Sequence, residues 1–443
     1  MHFAPAFADV VLACRGVLQS GELLEMHMKN IRLRAALLAA SAALVLAATP
    51  CVAQAEELVK IGITAPLSGP PAQSGVSLRQ GMTAAAEEWN AKGGVTVAGK
   101  PLKIDLLFED NQANPAQGVS AAQKLITNDQ VNFLIGDAFA SSVTIAEMDL
   151  ADQYKIPMMS CEPVSGAISA KIEKDPQNYQ YFWKADFNSQ GYAATIFQTY
   201  AALIKNGQFE PTKKTVAFIV EDTDYGRSIA ANAADLFKAD GWNVIANNTV
   251  PLGNTNFSSA LIKLNYESPD VLVSVFTSVD SGVALSKQFL EQGLKSSQFA
   301  IYYPTRPAYL KGAGSAGEGM MWTPLIFDTA QRPADKSLDE KIQAKFGTAA
   351  TSDHAYGYDC MNIVLNAFKA ADTVKPEGVV KALAATDYNG ILGRFVFDQK
   401  NHTAQYGAEF IPIPTAQIRD GVNVIIWPAN VATAKYQVQP WMK

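Results

Sequence analysis

The sequence predicts an α/β protein made of two doubly wound parallel-sheet lobes in tandem. Three observations carry this. Short apolar runs alternate with helical stretches, the alternation repeats along the chain, and the two rounds match in size and rhythm. In the first round the expected strands are 58–63, 102–108, 131–135 and one opening at 156, with helices at 77–92, 114–128 and 141–155. Leu78, Met82, Ala85 and Trp89 recur at helical spacing in the first helix, and Gly93-Gly94 ends it. The second round places strands at 215–220, 242–250, 271–276 and 299–303, with helices at 226–239, 257–266 and 279–292. Apolar runs this short, separated by helices, belong to a parallel sheet covered on both faces. A strand at 319–326, helices near 338–347 and 353–373, and a β-rich tail (394–398, 410–413 and 422–427) follow.

The chain has 443 residues, enough for two domains of ordinary size after a leader. Met28-Lys29-Asn30-Ile31-Arg32-Leu33-Arg34 is a basic start, the run from Ala35 to Ala48 is apolar, and Ala53-Gln54-Ala55 is a small-x-small cleavage signal. That order predicts a secretory signal peptide removed after Ala55, hence a periplasmic product. The apolar run is shorter than the ~20 residues a membrane-spanning helix needs, and Pro50 before Cys51 fits lipid attachment poorly. A formal charge of −6 without a basic cluster argues against nucleic acid as partner. Beyond the leader only Cys161 and Cys360 occur; they are expected as two buried thiols, with pairing in an oxidising compartment as the alternative.

No catalytic set emerges. His354 and His402 are the histidines outside the leader, expected as helix-start or surface residues, and neither has metal-ligand spacing to a second histidine. There is no Gly-x-Ser-x-Gly elbow, and no Gly-x-Gly-x-x-Gly follows the first strand of either round. Gly94 to Lys100 has the glycine and lysine spacing of a phosphate loop, but Pro101 stands where Ser or Thr would hold magnesium, and the stretch follows a helix instead of opening one. It reads as a short hairpin. No cofactor and no metal are expected, and the chain is not expected to be an enzyme. Binding chemistry is easier to place. Asp137-Ala138-Phe139-Ala140-Ser141-Ser142 lies where a strand ends and a helix begins, so free amides and serine hydroxyls converge there. Ser141 either helps to hold a carboxylate or caps its helix.

The chain resembles the leucine/isoleucine/valine-binding protein family of periplasmic receptors over nearly its whole length beyond the leader. The stretches that carry the resemblance are Ile61-Gly62-Ile63-Thr64-Ala65-Pro66-Leu67-Ser68-Gly69-Pro70, Asn90-Ala91-Lys92-Gly93-Gly94, Leu134-Ile135-Gly136 with Ser141-Ser142, and Ile156-Pro157-Met158-Met159-Ser160. Asp224-Tyr225-Gly226, Asn256-Phe257-Ser258-Ser259-Ala260-Leu261, Tyr356-Gly357-Tyr358-Asp359 and Gly390-Ile391-Leu392-Gly393-Arg394 complete the series. The resemblance implies the type I periplasmic binding fold with a three-strand hinge, crossing near 182–184, 320–322 and 405–408. Residues 1–55 are then the leader, 56–184 plus 321–408 the first lobe, and 185–320 plus 409–443 the second.

It also implies a ligand carboxylate gripped by Ser141 and Ser142, next to Phe139, with Ser74 in the turn where amino-acid binders often have an aromatic residue. The loop Cys161-Glu162-Pro163-Val164-Ser165 departs from the family's usual small polar contact, and Tyr225 and Thr277 face the ligand from the second lobe. Tyr303 stands where amino-acid binders commonly carry an acid for the ligand's ammonium. An unpaired ammonium would be costly to bury, so the expected ligand is a small carboxylate without an α-ammonium, an aromatic or apolar acid. An amino acid is the alternative if Glu162 or Asp280 restores the charge. Arg306 is expected as a solvated loop residue, or as the holder of a second carboxylate. The expected assembly is a monomer that delivers its ligand to an ABC permease with ATPase subunits; the same lobes feeding a signalling partner are the rival arrangement.

Overall fold

The computed structural model describes residues 57–324 and 326–443. The secretion signal expected before residue 56 lies outside them. Two sheets organise these residues. The first comprises β1 (Leu58–Ala65), β2 (Val95–Val97), β3 (Lys100–Asp110), β4 (Phe133–Ile135), β5 (Met158–Ser160) and β6 (Phe182–Lys184), in the order β2-β3-β1-β4-β5-β6. Every pairing is parallel except the β2–β3 hairpin. Ala98 and Gly99 close that hairpin with both φ positive, the turn whose twist suits a two-residue connection. The phosphate-loop spacing at 94–100 is therefore a hairpin, as its sequence context suggested.

The second sheet comprises β7 (Thr215–Glu221), β8 (Asn243–Val250), β9 (Val271–Phe276), β10 (Ser297–Tyr302) and β11 (Met321–Thr323), to which β14 (Thr415–Arg419) and β15 (Val422–Trp427) add antiparallel. Its order is β15-β14-β11-β10-β9-β7-β8. Between them, β12 (Asp387–Asn389) and β13 (Arg394–Val396) form a separate hairpin. The sequence partition placed Met321 and Trp322 in the first lobe. Both pair with β10 and β14 in the second sheet, so the chain leaves that sheet only after Thr323.

The helices follow in chain order. On the first lobe's N-terminal segment are α1 (Ala72–Ala91), α2 (Pro115–Thr127), α3 (Ser141–Glu147), α4 (Asp149–Gln153) and α5 (Gly166–Lys174). The second lobe carries α6 (Ser189–Lys205), α7 (Asp224–Ala239), α8 (Ser258–Glu267), α9 (Val279–Glu291) and α10 (Pro307–Ala313). Then α11 (Pro333–Phe346), α12 (Ser352–Ala371) and α13 (Pro376–Ala384) return to the first lobe. There α12 lies directly against α1. A Cβ on Gly81 would stand 2.0 Å from the His354 carbonyl oxygen, and one on Gly357 would stand 2.2 Å from that of Leu78. Only glycine at both places lets the two backbones approach this closely. That approach carries Ser74, near the start of α1, and Asp353, in the first turn of α12, to the same end of the lobe.

Cys161 and Cys360 are joined as a disulfide with their Cα atoms 5.9 Å apart, correcting the expectation of two unpaired buried thiols. Cys161 follows β5 and Cys360 lies in the middle of α12, so the fold brings together two residues 199 positions apart. The bond ties the loop after β5 to the helix that carries Asp353.

The two lobes meet through a buried polar knot. Arg306, just before α10, is 1% exposed and its Nη2 lies 2.5 Å from the Asp353 carboxylate, which is fully buried. The same nitrogen donates to Ser74 Oγ at 2.9 Å, and the Tyr302 hydroxyl donates to Asp353 at 2.9 Å. Arg306 and Tyr302 come from the second lobe, Ser74 and Asp353 from the first. Arg306 is thus neither a solvated loop residue nor a free cation: the α1–α12 pair supplies its carboxylate before any ligand arrives.

Two outcomes follow. Reducing the disulfide, or replacing Cys161 and Cys360 by Ser, is expected to lower stability by roughly 2–5 kcal/mol, the usual loss for a bridge closing a long loop, read as a lower denaturant midpoint. Replacing Asp353 by Ala is expected to cost about 3–5 kcal/mol by stranding a buried guanidinium, whereas the paired change Arg306→Met with Asp353→Leu recovers most of it. Equal losses in the single and paired variants would show that the ion pair is not what the single change breaks.

Candidate functional site

In each sheet the chain reverses direction next to its first strand. In the first lobe β3 lies on one side of β1 and β4 on the other; in the second lobe β8 and β9 flank β7 in the same way. At such a switch the loops beyond the strand ends diverge and leave a crevice. The crevices of the two lobes face one another and enclose a cavity of about 730 Å³, counting the space at its mouth. The first lobe contributes Pro71 after β1, Phe139 to Ser142 after β4, and Glu162 and Val164 after β5. The second contributes Glu221 at the end of β7, Thr223 and Tyr225 after it, and Thr277 after β9.

The loop carrying the serine pair is fixed from beneath. Asp137, with positive φ, accepts hydrogen bonds from the backbone amides of Phe139 and Ala140 at 3.2 and 2.5 Å and from Asn111 at 3.0 Å. Its own amide donates to Thr64 Oγ1 and to Glu147. Burial pushes the Asp137 carboxyl up to about 7 and the Glu147 carboxyl well above its usual range. The N-cap of α3 is Ala140, so Ser141 does not cap the helix; its Oγ accepts from the Ser165 amide at 3.2 Å, and both serines line the cavity.

Among the residues singled out in the sequence, Phe139, Ser141, Ser142, Val164, Tyr225 and Thr277 lie on the cavity wall. Four do not. Ser74 sits behind the wall as a partner of Arg306. Ser165 is turned away to cap α5, accepting from the Ala167 amide, and Pro163 is buried beside the lining rather than part of it. Tyr303 is the main correction. Strand β10 ends at Tyr302, and neighbouring residues of an extended chain point to opposite faces. Tyr303 is fully buried in the second lobe's core, against Phe276 and Tyr309, with its hydroxyl 2.8 Å from Ser274 Oγ. Tyr302 takes the cavity position, with φ 74° and ψ −57°, a strained γ-turn geometry that non-glycine residues rarely adopt.

The wall is aromatic and acidic. Tyr192, Tyr225, Tyr302 and Tyr356 join Phe139 on it, and its carboxyl groups are Glu162, Asp186 and Glu221. Among the described residues no lysine, arginine or histidine lines the cavity. Two of the three acids already accept hydrogen bonds. Glu221 accepts from the Thr277 amide and hydroxyl and from the Thr223 hydroxyl at 2.7, 2.8 and 3.0 Å. Asp186 accepts from Tyr356 and from the Phe187 amide, each at 2.8 Å, and burial raises it to about 7. Neither oxygen of Glu162 has a donor, and the Tyr225 hydroxyl beside it is also unpartnered. Asp280, the other acid considered for charge restoration, is exposed and outside the lining.

Both histidines of the described residues are buried and bonded within the fold. His354 completes a capping box with Thr351, and burial lowers it to about 4. His402 stacks on Trp183 at 4.1 Å and bonds the Phe182 carbonyl. Within the described residues no set of His, Cys, Asp and Glu is arranged to hold a metal ion, and no helix is long and apolar enough to cross a membrane. Sequence reasoning missed Tyr302, Asp186, Glu221, Tyr192, Tyr356 and Asp353. Tyr356 and Asp359 belong to a stretch that was noticed, yet they serve different ends: Tyr356 faces the cavity, while Asp359 accepts from the amides of Ile391 and Leu392 and fastens the Gly390–Arg394 loop.

Comparison with known proteins agrees with this architecture. The chain is 26% identical over 410 residues to Leu/Ile/Val-binding protein homolog 7 of Brucella melitensis, covering 90% of this chain and 97% of that one. A putative branched-chain amino acid ABC transporter protein from Silicibacter pomeroyi superposes with a TM-score of 0.74 at 23% identity, covering 87% of this chain and all of the other. A solute-binding protein of an ABC transporter from R. palustris, solved with benzoate, superposes at 0.71 with 18% identity, covering 86% of this chain and 99% of its own. The profile of the periplasmic binding proteins matches residues 58–416. The two lobes share the fold of these neighbours, and the chain belongs to the periplasmic binding protein family.

Proposed function

We propose that this protein captures a small zwitterionic solute, an amino acid or a close analogue, outside the cytoplasm and delivers it to an ABC permease driven by ATPase subunits. The observation that carries the ligand class is the charge of the cavity wall: three carboxyl groups and no basic side chain. A simple acid would bring its charge to a wall that offers carboxyl groups and, among the described residues, no basic side chain to offset it, several kcal/mol uphill in a buried site. A zwitterion brings its own cation. Ser141 and Ser142 offer hydroxyls to its carboxylate, and the acidic, tyrosine-lined half of the cavity suits its ammonium.

This reading departs from the expectation of an acid without an ammonium. That expectation rested on Tyr303 facing the ligand with no acid nearby, whereas Tyr303 is in the core and Glu162 is on the wall. The benzoate complex of one structural neighbour keeps the aromatic-acid reading in view, and the aromatic wall would accept such a ring. Capture proceeds without chemistry: the ligand docks on the first lobe, and closure of the second is favoured because Tyr225, Tyr302 and Thr277 touch the ligand only in the closed form.

A thermal-shift panel of the protein from Glu56 onward tests the class, pairing each amino acid with its deaminated counterpart (leucine with isocaproate, phenylalanine with 3-phenylpropionate) and including benzoate. A ligand at 100 times its Kd adds about 2.7 kcal/mol of stability. Stabilisation by amino acids and not by their deaminated partners is expected; stabilisation by the acids alone would overturn the reading.

A further inference from the structure

We propose that Glu162 is the amine-recognition residue of this site and that it surrenders a proton when the amine binds. The inference rests on the zwitterion reading above and deepens it. The second lobe's strand end, where the resemblance led us to expect an acid for the ammonium, carries Tyr302 and Tyr303. Glu162 comes instead from the first lobe, in the loop after β5, anchored by its amide to the Ala138 carbonyl at 3.0 Å and by the adjacent Cys161–Cys360 bond.

The geometry leaves Glu162 unfinished. It is 7% exposed, it lines the cavity, and neither carboxyl oxygen meets a donor. A buried carboxylate without a donor is among the costlier arrangements a protein can hold. The groups facing it from the surrounding elements explain its state. Asp353 on α12 and Asp186 after β6 are like-charged neighbours; Arg306 is the one cation close by, and it is already engaged with Asp353. Tyr192, Tyr225, Tyr302 and Tyr356 are the remaining titratable groups around it, and burial holds all four phenols well above their usual value. Burial first, then the Asp353 charge, pushes the Glu162 carboxyl well above the usual carboxylate range, with Arg306 opposing; the proton Glu162 keeps is the one it can donate to Asp353. The empty cavity therefore holds Glu162 as the neutral acid. An arriving ammonium supplies the donor and the charge that Glu162 lacks: the carboxyl proton leaves to solvent, the carboxylate pairs with the ammonium, and the tyrosine faces shield the pair.

The sign of the pH effects follows. A carboxyl raised in the folded state favours folding at low pH, so the empty protein loses this contribution as pH rises from the unfolded value of about 4.3 through the folded one. Ligand affinity moves the other way and strengthens as pH rises, because the proton to be displaced becomes easier to lose.

The test uses the wild type and Glu162→Gln, a neutral isostere that fills the same space. Each is titrated calorimetrically with the amino acids and deaminated acids of the panel, in two buffers of different ionisation enthalpy. Expected are release of about one proton per amine bound by the wild type, at least a tenfold loss of affinity in the variant, and no proton release by the variant. The denaturation midpoint of the empty variant should also lose the part of its pH dependence described above. Unchanged affinity and proton count in the variant would overturn the role of Glu162 while leaving amino-acid capture standing. Binding of the acids alone, or no binding by any panel member, would overturn the ligand class and this inference together. Acid binding with no proton exchanged, weakened in the variant, would show Glu162 acting instead as a neutral donor to a carboxylate and would overturn its role as the amine's partner.

Discussion

The buried Arg306–Asp353 pair is the constraint on which the rest of the site depends. It spans the two lobes, and it neutralises the buried guanidinium beside Glu162; the other buried cation near the wall, Lys184, is held by the Asp186 and Phe187 carbonyls. A guanidinium in that place without a partner would attract a ligand carboxylate and make the cavity an anion site. With Asp353 in contact, its charge is cancelled before the ligand enters, and the wall keeps an excess of carboxyl groups. A buried pair adds little net stability; what it contributes is a fixed register, setting Tyr302 against Ser74 and Asp353 when the lobes are together.

That register is prepared within the first lobe. Gly81 and Gly357 allow α1 and α12 to touch backbone to backbone, so Ser74 and Asp353 arrive at one edge. The disulfide then ties the middle of α12 to the loop that carries Glu162. Three segments far apart in sequence are thereby held as one rigid wall. Opposite them, a strained backbone at Tyr302 turns a single aromatic ring into the cavity and sends its neighbour into the core. Strain of this kind persists where the surrounding structure over-determines it, and here Arg306, Ser74 and Asp353 all hold the Tyr302 hydroxyl.

Much of the fold was legible because its signals are local. Alternating apolar strands and helices of Leu78, Met82, Ala85 and Trp89 type report periodicity within a few turns. The serine pair was legible for the same reason, sitting at a strand-to-helix junction. The acidic wall was not, since its members come from separate loops: Glu162 after β5, Asp186 after β6 and Glu221 at the end of β7. The exchange of Tyr302 for Tyr303 shows how sharply this matters. A strand end misplaced by one residue reverses which side chain meets the ligand, and no composition or spacing reveals the positive φ that decides it. Arg306 and Cys161 were misread likewise, because their partners lie 47 and 199 positions away and reach them only through the fold.

A crystal structure of the protein with the panel's best-stabilising ligand tests the central claim most directly. The account predicts a nitrogen of the ligand within hydrogen-bonding distance of Glu162, and its carboxylate on Ser141 and Ser142. A ligand carboxylate directed at Glu162, or an amine lodged elsewhere with Glu162 still lacking a partner, would contradict it.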